Sequence, residues 1–385
     1  MTRICLENAT LLDPEGKEAR PGGLLIEAGR IAAHLEPGPS PVHDAERIDL
    51  TGCFLAPGFI DIHYHGRLVL EPSASQDGAA HDAIRSGADL VRHGTTAYLP
   101  TTVAWSREIL AQRVDLMTQT LEARHEAGAQ PLGLHLEGPW ISGAAAGAQP
   151  VRGMRSCDLG EARDLLARSR GALRVVTLAP ELEGSEALLE LLQTEGVVPA
   201  LGHSVASAAC VEAAIERGAR HATHLFNAMA PLHHRDAGLV GVALTDARLS
   251  ADLICDGVHV EARVLRLAAR ALGERLLLIT DRVEADPVGF GSGALHDDGH
   301  ALRLSDGRLA GSSLTLDRAL RNAVELAGLS LLDAVAACTL RPARLLGIER
   351  EYGTLRPGAR ADLVVLDAAS NVRQTWVGGR CVHRA

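Results

Sequence analysis

The chain has 385 residues, 46% of them hydrophobic and 22% charged, an ordinary globular balance that suits one large α/β domain plus something smaller. Acidic residues outnumber basic ones 48 to 38 for a net charge of −10, and no Lys/Arg run stands out, so nucleic-acid binding has no electrostatic footprint. No apolar run reaches the roughly 18–20 residues that span a bilayer, and the N-terminal MTRICLENATLL has no long apolar signal region, which predicts a cytoplasmic protein with no membrane partner.

The first fifty or so residues read as short strands. RICLENATLL, GGLLIEAGRIAAHL and ERIDLTGCFLAPG carry period-2 stretches broken by Gly, Pro, Asp and Asn. The last thirty-five, GTLRPGARADLVVLDAASNVRQTWVGGRCV onward, have the same texture. Neither end is large enough to stand alone, which predicts one small β-sandwich domain formed by both termini, residues 1–56 and 348–385.

Between them, over residues 57–347, apolar runs alternate with amphipathic Ala/Leu/Arg/Glu-rich segments. The candidate strands are GFIDIH, GTTAYLPTT, PLGLHLEGP, RVVTLAP, VVPALGH, ARHATHLFNA, LSADLIC and RLLLITD. Helices are expected at HDAIRSGADLVRHG, EILAQRVDLMTQTLEARHEAG, EARDLLARSR and EALLELLQTEG. Eight strands alternating with helices predict an α/β fold of the (β/α)8 TIM-like barrel type. A doubly wound sheet is the structural alternative, but no G-x-G-x-x-G follows the first strand.

In such a barrel the working residues lie at the C-terminal strand ends. Strand 1 ends in His63 and His65, which point to one face. Strand 3 carries His135 and Glu137, strand 5 ends in His203, strand 6 in His224 and strand 8 in Asp281. Imidazoles with a carboxylate favour a divalent cation such as Zn2+ or Fe2+, one or two per subunit. A carboxylate left over serves as general base and acid, and Asp281 fits by position. His135 is either a supporting partner of Glu137 or a packed barrel histidine. His34, His43, His81, His93, His125, His221, His296, His300 and His383 are read as structural or solvated.

Seven scattered cysteines, never in C-x-x-C, predict reduced thiols rather than a disulfide framework or a cysteine zinc site. Lys17 is the only lysine and lies in a terminal segment. That excludes a carboxylated-lysine bridge in a two-metal site and leaves Glu137 as the bridge.

The motifs PGFIDIHYHG, HLEGPWIS, TLAPE, GHS, ATHLFNAM, GLVGVAL, DGVHV and LAGSSLT together resemble the N-acetylglucosamine-6-phosphate deacetylase family of the amidohydrolase superfamily, over nearly the whole chain. The resemblance implies that Glu137, His203 and His224 bind the principal metal and that His63 and His65 match a second position bridged by Glu137. Asp281 takes a proton from the attacking water and passes it to the departing amine. Asn227, Ala228, His259 and Arg235 match positions that grip the sugar phosphate, the arginine from a neighbouring subunit, so a homodimer is implied.

Two departures bear on the substrate. The family carries a histidine in the loop after HLEGP where this chain reads GAAAGAQPV, with Gln149 in its place. Small residues usually follow Asp281, where this chain has Arg282, Val283 and Glu284, leading into ADPVGFGSGALHD. The expected activity is hydrolysis of the acetamide of an N-acetylhexosamine 6-phosphate. The alternatives are the galactosamine epimer, another N-acyl amide or cyclic amide, and a non-enzymatic relative that uses the barrel for assembly.

Overall fold

Residues 3–38, 42–67, 85–122, 128–284, 295–297 and 301–385 are described by the computed structural model. The alternating N-terminal patterns form strands β1 (Arg3–Asp13), β2 (Glu18–Glu27), β3 (Arg30–Leu35), β4 (Glu46–Asp49) and β5 (Phe54–Pro57). The central strands are β6 (Phe59–Gly66), β7 (Thr95–Pro100), β8 (Gln130–Pro131), β9 (Leu134–Glu137), β10 (Leu173–Leu178), β11 (Val198–Leu201), β12 (His221–Ala222), β13 (Ser250–Ile254) and β14 (Leu276–Ile279). Each of the eight expected strand segments contains one of them. β6, β7, β9 and β14 are buried at every position, which is why they read as near-continuous apolar runs rather than as alternations.

β9 to β14 pair in sequence order as one parallel sheet. β6, β7 and β8 form a second parallel sheet, joined on its other edge by β15 (Arg282–Val283). The two sheets meet at two seams. Thr102 N–H donates to the His135 carbonyl at 3.0 Å beside a parallel bridge from Thr101 to His135. Asp281 N–H donates to the His63 carbonyl at 2.9 Å.

Helices Arg107–Glu122, Leu159–Ser169, Ser185–Thr194, Ala208–Glu216, Gly238–Thr245, Ala262–Leu272 and Leu316–Glu325 alternate with the strands. Several start on a side chain that accepts their free N–H groups: Asp158, Ser207 and Glu261. The helix expected over 81–94 is seen from residue 85, and the one over 108–128 is seen through Glu122; residues 81–84 and 123–127 lie outside the described segments. A short antiparallel pair, β16 (Leu295–Asp297) with β17 (Leu302–Leu304), follows β15.

The chain then returns to its start. β18 (Leu363–Leu366) pairs antiparallel with β5, and β19 (Val372–Val377) and β20 (Arg380–Arg384) continue outward, giving the order β20-β19-β18-β5-β1-β2-β3 with β4 on β1. Leu6, Leu11, Leu24, Leu55, Leu363, Val365 and Trp376 form a core of this sheet's own. Leu363 joins the two ends of the chain, paired with Pro57 and fully buried. Leu363→Ala is expected to cost about 2–5 kcal/mol in denaturant unfolding, whereas Leu267→Ala, on an exposed helix face, changes stability by less than about 0.5 kcal/mol. Equal effects from the two substitutions would contradict this packing.

Candidate metal centre

The chemistry-bearing side chains sit where strands end. His63 and His65 close β6, and Glu137 closes β9. His203, His224 and Asp281 each lie two residues beyond a strand, and each has a positive φ: 48°, 34° and 50°. Non-glycine residues avoid this left-handed region, at a cost of about 1–3 kcal/mol each.

Two buried carboxylates hold the His224 and Asp281 turns in place. Asp252 on β13 accepts the backbone N–H of His224 and lies 2.8 Å from His221 Nε2. Asp61 on β6 accepts the Thr280 hydroxyl at 2.5 Å and the His63 N–H at 3.2 Å, so it ties the turn before Asp281 to the H-x-H strand. Burial pushes the Asp61 carboxyl up to about 6, against these hydrogen bonds. Neither residue was a sequence candidate. The available signal was a lone charge inside an apolar strand, FIDIH and SADLI, because a buried carboxylate demands partners. His221, read as structural, lies on β12 in the partnership with Asp252.

Glu137 stands at the centre. Its Oε1 is 3.0 Å from His203 Nε2 and 2.9 Å from His224 Nε2. Its Oε2 is 3.2 Å from His65 Nε2 and 3.5 Å from His63 Nε2. Asp281 Oδ1 lies 3.1 Å and 3.4 Å from the same His65 and His63 nitrogens. Two clusters result, Glu137–His203–His224 and His63–His65–Asp281, the ligand atoms of each within 4.8 Å of one another.

This donor set fits a divalent cation. Nε2 atoms face each other at 3.3 Å between His63 and His65 and at 3.2 Å between His203 and His224. Two imidazole lone pairs at that distance need a proton or a metal between them. Without metal, protons fill the role. Burial lowers the His65 pKa, but hydrogen bonds to Asp281 and Glu137 raise it to about 10. For His224 burial is likewise outweighed by Glu137, giving about 9. Burial raises the Glu137 carboxyl, yet attraction to His63 and the bonds from His203 and His224 hold it well below the usual range.

A pocket of about 260 Å³ opens over this centre, lined by His65, Glu137, Gln149, His203, His224, Asn227, Ala228, His259, Asp281 and the Arg308–Leu309 segment, among others. His259 is oriented by Asp256, whose Oδ2 is 2.6 Å from Nδ1, while Asp256 Oδ1 accepts the His259 N–H at 2.8 Å. Asp256 and Arg308 were not sequence candidates; the acid of DGVHV was the available signal for the first.

Two candidates lie elsewhere. His135 does not line the pocket. It is packed beneath His63 at 4.7 Å between ring centroids, 2.8 Å from the Thr177 hydroxyl and 3.1 Å from the Ile62 carbonyl. Burial, then the charge of His63, depresses its pKa well below the ordinary value. Arg235 is exposed, outside its own chain's pocket, 2.7 Å from His234 Nε2.

The Arg282–Glu284 departure turns away from the pocket. Arg282 pairs with Asp89 at 3.0 Å, and Glu284 accepts from the Tyr64 hydroxyl and from Arg67. Residues 285–294 of the same departure lie outside the described segments. Cys255, beside Asp256, is buried and free, its thiol pushed up to about 12 by burial and then by Asp256. All seven cysteines are free. No helix among the described residues is long and apolar enough to cross a membrane.

Comparison with known proteins agrees with this geometry. The amidohydrolase family model matches residues 54–382. An N-acetylglucosamine-6-phosphate deacetylase of Bos taurus is 38% identical, covering 98% of this chain and 91% of its own length. An N-acetylgalactosamine-6-phosphate deacetylase of Escherichia coli O157:H7 is 37% identical, covering 93% of each. The structure of a Mycobacterium smegmatis N-acetyl-D-glucosamine-6-phosphate deacetylase variant, in complex with N-acetyl-D-glucosamine-6-phosphate, superimposes with a TM-score of 0.89 at 34% identity over 99% of this chain and 100% of that one. The chain belongs to the amidohydrolase family.

Proposed function

We propose that the protein hydrolyses the acetamide of an N-acetylhexosamine 6-phosphate, N-acetyl-D-glucosamine 6-phosphate first, to the amino sugar phosphate and acetate. The observation that carries this reading is the convergence of Glu137, His65, His203, His224 and Asp281 at the floor of one pocket, with His63 buried beside them. Relatives that act on either epimer of the sugar phosphate match at nearly equal identity.

Glu137, His203 and His224 would hold the principal cation, and His63, His65 and Asp281 a second, Zn2+ or Fe2+ suiting this donor set. A cation held there would supply Lewis acidity toward the amide carbonyl and the attacking water. Asp281 accepts the proton of the attacking water and returns it to nitrogen as the amine departs. Gln149, Asn227, Ala228 and His259 line the walls that orient the sugar. His135 supports His63 from below rather than touching substrate.

Arg308 is the cation that this pocket draws from its own chain, and Arg235 of the same chain lies outside it. We assign a further phosphate contact to Arg235 of a second copy in a homodimer. Four of the six large apolar side chains exposed among the described residues support that contact: Val151, Val205, Leu232 and Val258. They sit on the loops that carry Gln149, His203, Arg235 and His259. We further infer that the two parallel sheets close through the Thr102 and Asp281 seams into one (β/α)8 barrel over 57–347. Residues 1–56 and 348–385 then form the small β-sandwich around its own core.

Metal-replete protein is expected to release acetate from one 6-phosphate epimer with little turnover of the free sugars, and Arg235→Ala raises KM for the phosphate ester. Turnover that ignores the phosphate, or none on either epimer with metal bound, overturns the substrate reading. Asp281→Asn keeps metal at the Glu137 position and loses at least about 10²–10⁴-fold in kcat; near-wild-type kcat in metal-loaded variant removes Asp281 as the acid–base. The raised His65 and His224 pKa values mean that metal-free protein carries protons there at neutral pH, and that this stabilisation is complete below about 6.5 and lost through about 9–10. Metal must displace those protons, so calorimetry should find proton release on binding and an affinity that tightens from pH 6 toward 9. Affinity independent of pH would contradict the assignment.

A further inference from the structure

Gln149 is 5% exposed and makes two hydrogen bonds that assign its amide. Oε1 accepts from the Ala104 N–H at 2.8 Å, so Nε2 is the end that faces Glu137, and it donates to Glu137 Oε2 at 2.5 Å. The loop has little room to slide. Gln149 N–H is bonded to the Ala146 carbonyl at 3.0 Å. Gly153 packs so closely on the Ala104 carbonyl that an added Cβ would lie 1.7 Å from its oxygen.

The oxygen that Gln149 takes is the one that faces His63 and His65, while the other faces His203 and His224. A cation held at the H-x-H side and the Gln149 N–H would therefore draw on the same carboxylate oxygen. An oxygen has two lone pairs, so the competition weakens the donor without blocking it. The same bond fixes the carboxylate plane and presents Oε1, without a competing amide, to His203 and His224.

We propose that Gln149 is a positioning residue that ranks the two metal positions, making Glu137–His203–His224 the tight one and His63–His65–Asp281 the weak one. This rests on the metal-site reading above. Hydrogen bonds to ligands of this kind are typically worth about 10–100-fold in metal affinity.

The test is a titration of metal-free wild-type, Gln149→Ala and Gln149→Met protein with Zn2+ by calorimetry and with Co2+ by visible absorption, bound metal being counted by elemental analysis. Wild type is expected to bind in two separable steps. In both variants the first step weakens about 10-fold or more, the second does not, and the Co2+ band of the first step shifts. The methionine variant keeps the side chain's length, so agreement between the two variants separates the lost amide from a lost fold. Unchanged step ratio and Co2+ spectrum, or equal weakening of both steps, overturns the inference and leaves the metal centre intact. A wild-type protein that binds neither ion sinks the metal-site reading itself.

Discussion

A single buried carboxylate, shared between two pairs of imidazoles, is the constraint on which this site depends. Glu137 places one oxygen near His203 and His224 and the other near His63 and His65. Such a group is unfavourable in an apolar interior unless cations or protons compensate it. Its surroundings are arranged accordingly. Strand ends deliver the rings, left-handed turns place His203, His224 and Asp281 beside Glu137, and Asp252 and Asp61 anchor the His224 and Asp281 turns. The strain of about 1–3 kcal/mol per turn is tolerable because packed parallel strands hold the backbone on both sides.

Much of this was legible in the sequence. The strand ends carry the chemistry in chain order, and all eight expected strand segments contain a strand. His63, His65, Glu137, His203, His224 and Asp281 converge because strands of a parallel sheet point the same way. What was not legible depends on distance across the fold. Period-2 spacing put His135 and Glu137 on one face, but only the cross-strand packing shows that His135 stops beneath His63 at Thr177 and Ile62. Spacing alone could not tell that Arg282 and Glu284, adjacent to Asp281, turn toward Asp89, Tyr64 and Arg67. Asp61 and Asp252 escaped because a sequence shows a charge in a strand, not the N–H it satisfies.

The substitution at Gln149 changes the site in a way its sequence position only hinted at. A neutral amide that bonds Ala104 and Glu137 cannot become cationic, so it shapes the carboxylate instead of adding charge. Asn227, Ala228 and His259, the last held by Asp256, complete the wall around it. The small sheet from both termini lies on the chain's own return path through β5 and β18, and the residues of the two clusters all come from the segment between, at its strand ends or just beyond them.

Whether Glu137 organises a cation is decided by diffraction from crystals of the metal-loaded protein, recorded on both sides of the metal's absorption edge. An anomalous peak is expected within about 2.0–2.2 Å of Glu137 Oε1 and of the Nε2 atoms of His203 and His224. A metal-replete crystal with no peak there, or with its only peak away from Glu137, would contradict it.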